Sequence, residues 1–313
     1  MPEKKHRKLK INTQGKCYSI KDSALYNIFR KDRLAEVLEI TKEDFKKLSD
    51  DQNYRVFSIE QGKKERLIQA PKYKLDKVHT RVASLIQRIE VPDFIHGGIK
   101  GKSHISNAKV HIGNHPVLTM DLKSFFPSVT KTSIYYLFNK EFSASEDVSG
   151  ILANLCSYDN KLPTGSRLSM PLSYWCNRKM FRKIDDFCKS NNINFTLFVD
   201  DLTFSGESVD RFTAYKVKKI IQACGMKLHA EKTRLYAADK PKLITGVVVN
   251  GEKLNVRNKH HKAIFTAFAE LDNFQSEEEF KKAQSKLIGM LSAAGQISEI
   301  YLERAKTYRA NSL

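Results

Sequence analysis

The sequence predicts an α+β fold, and three observations carry that reading. YRVFSIEQGKKERLIQA, residues 54–70, has two alternating runs about Gly62, the pattern of a basic β-hairpin. NFTLFVDDLTFSG, residues 194–206, sets Phe195, Leu197 and Val199 on one arm and Leu202 and Phe204 on the other, so a second hairpin turns at Asp200 and Asp201. LDKVHTRVASLIQRI and VDRFTAYKVKKIIQACG repeat their apolar residues at the spacing of amphipathic helices, the second ended by Gly225.

The bulk properties permit such a body. A chain of 313 residues with 41% hydrophobic and 10% aromatic content buries a real core. No long Pro/Gly/Ser linker divides it, so subdomains sharing one body are expected. Lys and Arg number 54 against 35 Asp and Glu, and the net charge of +19 points to polyanionic partners, nucleic acid above all. No run of 18 apolar residues exists, and MPEKKHRKLKI lacks the apolar stretch of a secretion signal, so no membrane role and a cytoplasmic location are expected. Cys17, Cys156, Cys176, Cys188 and Cys224 form no CxxC pair, and His260 and His261 are adjacent with no HExxH. These patterns read as reduced thiols without zinc chemistry.

Residues 1 to about 50 read as a basic helical lobe, with Leu34, Val37, Leu38 and Ile40 as an apolar stripe and Thr41 as N-cap of the next helix. Pro71 closes the first hairpin, and beyond the next helical stretch FIHGGIKGKS is a glycine-rich basic loop able to approach phosphates. Val117, Leu118 and Met120 read as a strand that ends at Asp121, and Pro127 forces a break shortly after it. Helical segments cover Ile134–Lys140 and Asp147–Cys156, and the loop KLPTGSRLSMP leads into a longer helix. ITGVVV reads as a strand, and two helical stretches run from about His260 to Arg309.

Adjacent carboxylates at a hairpin tip oppose each other's ionisation unless a cation neutralises them. The apolar flanks predict that this hairpin is buried, and Asp121 at the end of another strand supplies a third carboxylate. Three such groups can hold two divalent ions roughly 3.5 to 4 Å apart, the arrangement that activates an attacking oxygen and stabilises a leaving one. Oxygen-only ligands favour Mg²⁺, so two Mg²⁺ ions are the expected cofactors. The chemistry would be in-line attack on phosphorus, which serves nucleases and polymerases alike.

From about Arg55 to Val249 the order of motifs resembles the reverse transcriptases, and specifically the retron group of bacteria. DLKSFFPS resembles the first carboxylate motif, LPTGSRLSMP the template and nucleotide-contacting loop, FVDD the tyrosine-x-Asp-Asp hairpin, and ITGVVV the primer-gripping strand. NAKVH, from Asn107 to His111, resembles the NAxxH signature of retrons, and ITG at 244–246 their VTG signature. The resemblance implies that Asp121, Asp200 and Asp201 are catalytic and hold metal, with Leu122 in the metal-site set. Phe126 would lie under the sugar of the incoming nucleotide and select deoxynucleotides, with a core phenylalanine as the lesser alternative. Arg66 would clamp the triphosphate with Lys64 or Lys63, Thr164 and Gly165 would contact the nucleotide, and Lys232 would protonate the departing pyrophosphate. Asn107, His111, Phe198, Thr245 and Gly246 would contact primer or RNA. Departures are Phe198-Val199 for tyrosine-alanine and Thr164 for a frequent glutamine.

The resemblance further implies a right-hand polymerase: an N-terminal helical extension at 1–50, fingers and an antiparallel-sheet palm at 51–250, and a helical RNA-binding thumb at 251–313. Partners would be a cognate noncoding RNA, its branched msDNA product, deoxynucleoside triphosphates, an anti-phage effector protein, and a host RNase H for template removal, since no RNase H motif is evident. The rival readings are a group II intron or abortive-infection relative and a non-catalytic RNA-binding scaffold. Intact aspartates count against the scaffold, and no space for a maturase or endonuclease region counts against the intron type.

Overall fold

In the computed structural model the described residues are 9–61, 64–271 and 276–310. In chain order the elements are α1 (Lys31–Leu38), α2 (Lys42–Leu48), β1 (Tyr54–Gln61), β2 (Lys64–Pro71), α3 (Tyr73–Ile86), α4 (His104–Lys109), β3 (Val117–Asp121), α5 (Phe125–Ser128), α6 (Lys131–Tyr136), α7 (Glu146–Leu155) and α8 (Ser169–Ser190). They continue as β4 (Asn194–Phe198), β5 (Asp201–Ser205), α9 (Arg211–Ala223), β6 (Arg234–Tyr236), β7 (Lys242–Ile244), β8 (Val247–Asn250), β9 (Lys253–Asn255), α10 (Asn258–Glu270), α11 (Glu277–Gly295) and α12 (Glu299–Ala310). Helices and antiparallel sheets mix as the α+β reading requires. None of the described helices is long and apolar enough to cross a membrane.

Contacts divide the chain into two interleaved units. The first holds residues 1–93, 122–185 and 219–228. Its core is helical: α3 buries Leu75, Val78, Val82, Leu85 and Ile86 at three- and four-residue spacing, which is one face of a helix. Thr41 caps α2 through a capping box with Asp44, as its position before KEDF predicts. The β1–β2 ribbon runs in register from Tyr54↔Pro71 to Gln61↔Lys64. Gly62, Lys63 and the Lys64 side chain lie outside the described residues.

The second unit holds residues 94–121, 186–218 and 229–313. Its main sheet has the order β4-β5-β3-β6, all antiparallel. Phe195 and Phe204 face each other across β4 and β5 with stacked rings 5.0 Å apart. Thr196, Thr203 and Ser205 on the opposite face are buried as well, so this sheet is covered on both sides rather than open to water on one. Val117 also joins Ile105, Ala108, Ile244, Val247 and Val249 in a cluster that ties α4 to the β7-β8-β9 sheet.

Two expectations change. ITGVVV is not one strand: Ile244 pairs with Val247 about a two-residue turn, with Thr245 at φ +44° and Gly246 at +88°. Positive φ at both centres is the type I′ requirement, and it overrides the strand propensity of the flanking residues. Among the described residues the C-terminal stretch holds three helices rather than two, because Gln296 and Ile297 interrupt the pattern before Ser298 and α12 begins afresh. They enclose Val256, Ile264, Leu271, Leu287, Leu291, Ala294 and Ala305.

Candidate active site

Strand pairing brings the carboxylates together. Asp121, the last residue of β3, is paired directly with Asp201, the first of β5, and Asp200 sits in the two-residue turn between Phe198 and Asp201. All three therefore occur at one end of one sheet. Val199, the other turn residue, has φ +61°, a left-handed conformation that costs a β-branched residue on the order of 1–2 kcal/mol. The neighbouring backbone holds it there. His96 N–H donates to Leu197 O at 2.8 Å, and a Cβ on Gly97 would collide with the Val199 backbone nitrogen. The start of the FIHGG loop thus braces the turn, and Gly97 serves close backbone approach.

Asp121 is 6% exposed, and its Oδ1 is buried without a hydrogen-bond partner. Its Oδ2 accepts from Lys232 Nζ at 2.5 Å, while the His229 amide donates to its carbonyl at 2.9 Å. His229 Nε2 stands 3.9 Å from Oδ1. Burial pushes the Asp201 carboxyl up to about 7, with the charges of Asp200 and Asp121 adding to the shift and Lys232 opposing it. An orphaned buried oxygen beside a carboxylate driven toward protonation marks a cluster short of positive charge, and the donor set is all oxygen. These residues fit a hard divalent cation in chemistry. Among the described residues no group of three or more His, Cys, Asp or Glu side chains is arranged as a metal-holding set. At Asp121 the Lys232 ammonium supplies the positive partner instead.

Leu122 is buried and apolar, so only its carbonyl oxygen is available to a cation. Phe198 is half-buried beside the turn. Asn107 and His111 are both 0% exposed, which corrects their assignment as RNA contacts: neither side chain reaches the surface. His111 Nδ1 and Nε2 are each 2.7 Å from a hydroxyl, Ser205 Oγ and Thr196 Oγ1. Thr245 and Gly246 form the β7–β8 turn, Thr245 half-buried and Gly246 exposed.

The remaining predicted residues belong to the first unit. Arg66 is exposed on β2. Phe125 is buried and Phe126 half-buried on α5, a helical turn that separates successive side chains by about 100° rather than placing them on opposite faces. Their rings lie 5.7 Å apart. The donors of Thr164 and Gly165 are spent inside the protein: Thr164 N–H donates to Gln69 Oε1 at 3.0 Å, its Oγ1 to Leu67 O or Gln69 Oε1 at 2.9 Å, and Gly165 N–H to Gln69 O at 3.1 Å. A Cβ on Gly165 would lie 2.7 Å from that carbonyl, so glycine allows the loop to dock on β2. Sequence reasoning missed His79, which anchors the same loop: its Nδ1 is 2.7 Å from Ser166 Oγ and its Nε2 2.7 Å from Leu155 O. It also missed His229 and Gly97. HGG was the only signal for Gly97, and a lone histidine on a helical pattern gave none for His79.

A family model described as reverse transcriptase (RNA-dependent DNA polymerase) matches residues 46–281. The chain is 27% identical over 220 residues to the Retron Ec86 reverse transcriptase of Escherichia coli, covering 68% of each chain. It is 32% identical over 180 residues to the Retron Se72 reverse transcriptase of Salmonella heidelberg (strain 579083-10), covering 56% of this chain and 46% of that one. The chain thus spans about half the length of the second relative. A telomerase from Candida albicans, solved with a fragment of telomeric RNA, superposes with a TM-score of 0.50 at 10% identity, over 82% of this chain and 59% of the other. The fold is that of the right-hand polymerases.

Proposed function

The chain belongs to the reverse transcriptase family of RNA-dependent DNA polymerases, in its retron-type group, and on that footing we propose that it copies its own structured noncoding RNA into branched msDNA. The observation that supports this best is the Asp121↔Asp201 pair on adjacent strands with Asp200 in the turn.

Asp121, Asp200 and Asp201, with the Leu122 carbonyl, would hold two Mg²⁺ ions, which when bound activate the attacking hydroxyl and stabilise the leaving oxygen. Lys232 carries transferable protons on an exposed ammonium and would supply one to the departing pyrophosphate. Arg66, with Lys64, would bind the triphosphate as a bidentate cation, and Phe126 would exclude a 2′-hydroxyl. Gly165 and Thr164 would shape the nucleotide contact through the strand they grip. Phe198, Thr245 and Gly246 would receive the primer.

In this reading 1–50 is an extension, 51–250 fingers and palm, and 251–313 a thumb that holds RNA by backbone charge and shape. The setting would be a cytoplasmic defence system with an effector protein, in which a host RNase H removes template.

The test is to express the chain with its neighbouring noncoding RNA, treat the extracted nucleic acid with RNase, and examine what DNA stays joined to RNA. A single debranchase-sensitive species that falls roughly 10³-fold or more in Asp200→Ala is the expected result. Linear products would move the enzyme to another reverse-transcriptase lineage, and undiminished product in Asp200→Ala would favour the scaffold reading.

A further inference from the structure

Lys109 and Val110 of the 107–111 signature are exposed, but Asn107 and His111 are buried where they cannot touch a ligand, and these two polar side chains have partners on two separate hairpins. Thr196 pairs with Thr203 and Ser205 with Asn194, so the Thr196 and Ser205 hydroxyls rise from the same face of the β4–β5 hairpin. The His111 imidazole spans them, 2.7 Å from each. It therefore fastens the two strands whose connecting turn carries Asp200. From α4 itself, Asn107 Nδ2 makes a long contact of 3.5 Å to Thr245 Oγ1, and Thr245 Oγ1 donates to the His104 carbonyl at 2.8 Å.

Thr245 is a β-branched residue at φ +44°, and the two side-chain bonds hold it in that conformation. Asn107 Oδ1 is buried with no hydrogen-bond partner, a desolvation cost that a residue kept for stability alone would shed. One short helix and the residue two places beyond it thus grip the hairpin that carries the carboxylates and the turn of the β7–β8 hairpin.

We propose that Asn107 and His111 are positioning residues: the α4 segment locks the β7–β8 turn to the β4–β5 hairpin, so that the primer end and the catalytic carboxylates keep a fixed spacing. This rests on the nucleotidyl-transfer reading of the Asp121, Asp200 and Asp201 site. The imidazole is suited to the task because it offers one donor and one acceptor to two hydroxyls that can each play either part. An error of about 1 Å in such a spacing costs roughly 100-fold in rate.

The full chain, bound to a structured RNA template with an annealed primer, is assayed for kcat, for KM of the deoxynucleotide, for RNA Kd and for melting temperature. His111→Leu should lower kcat roughly 100-fold while RNA Kd stays within about twofold. His111→Gln, which again offers a donor and an acceptor, should recover most of that loss. Thr196→Val combined with Ser205→Ala should reproduce the His111→Leu defect with His111 intact, and this pair serves if His111→Leu does not fold. Asn107→Leu should lower kcat and loosen primer use in the same way.

Loss of RNA affinity in parallel with activity, in a folded variant, would overturn the proposal in favour of RNA contact. Unchanged kcat in the folded His111→Leu or in the hydroxyl pair would overturn it as well. Asp200→Ala keeps the two levels apart: retained synthesis there defeats the reading of the site, whereas its loss with a normal His111→Leu defeats only the positioning role.

Discussion

His79 and His111 are both buried, and both use their two ring nitrogens at 2.7 Å, but they are held by different chemistry. His79 faces a backbone carbonyl, Leu155 O, which only accepts, so its proton must lie on Nε2 and Nδ1 must accept from Ser166 Oγ. His111 faces two hydroxyls, Thr196 and Ser205, and neither dictates where the proton sits. The first histidine fixes a loop to a helix end and has one state. The second fastens two strands and has two. A carbonyl partner makes an anchor, while hydroxyl partners make a clamp that tolerates either tautomer.

The largest expected effect that sets these histidines against the rest of the chain is acid sensitivity. Burial, the leading cause in each case, lowers His79 to about 4 and His111 to about 3 from the ordinary 6.5. Only the unfolded chain takes up these protons below pH 6.5, so the contribution to stability is complete above that value. It is lost as pH falls, until the folded values are reached. From pH 7 to pH 5 each histidine removes about 2 kcal/mol, or about 4 kcal/mol together. Asp201 acts in the opposite sense, because its folded value of about 7 is raised: its stability is lost as pH rises toward 7 and regained on acidification. Urea unfolding of Asp201→Asn in chelator at pH 7 and pH 5 isolates the histidine part, and equal stability at the two pH values would refute it.

Replacing the ring gives the next effect. His79→Leu strips buried Leu155 O of its imidazole donor and leaves Ser166 Oγ with only the Leu168 amide, and should destabilise by about 2–4 kcal/mol, read from the urea midpoint at pH 7.5. His111→Leu leaves only hydroxyls, which can rotate toward other acceptors, so its cost should be smaller by about 1 kcal/mol. An equal or larger loss for His111→Leu would mean that the strand clamp is as rigid as the anchor.

The difference also explains what the sequence disclosed. Signals local to the chain were legible: the apolar spacing of α3, the capping box of α2, and the alternation that predicted a hairpin at the Asp200–Asp201 pair, whose turn residues are in fact Val199 and Asp200 with Asp201 opening β5. The site's carboxylates were legible for the same reason, since apolar flanks announce burial. Thr196 and Ser205 were not, because polar residues alternating with apolar ones read as a solvent face, and their partner indoors is His111, some 85 and 94 residues away in sequence. The I′ turn at Thr245 and Gly246 was hidden by the β-formers on both sides, and the docking of Thr164 on Gln69 is a contact 95 residues apart with no local trace. Local order arises from neighbours along the chain, whereas polar satisfaction in a covered sheet depends on partners that no periodicity names.

The smallest effect sharpens the comparison most. Ser166→Ala and Ser205→Ala each remove one hydroxyl from a buried imidazole and should each cost about 1 kcal/mol, so stability alone will not separate them. The tautomer will. In Ser166→Ala the Leu155 carbonyl still requires a donor, so His79 keeps its proton on Nε2 as before. In Ser205→Ala the Nδ1 of His111 loses its partner, and a buried N–H without an acceptor is costlier than a bare ring nitrogen, so the proton should settle on Nε2 and donate to Thr196 Oγ1. Imidazole nitrogen shifts by NMR report this directly. His79 should show one tautomer in both the parent and Ser166→Ala, while His111 should move to Nε2–H in Ser205→Ala. If His111 is already a single Nε2–H tautomer in the parent, the hydroxyls have a fixed order and His111 is an anchor of the same kind as His79.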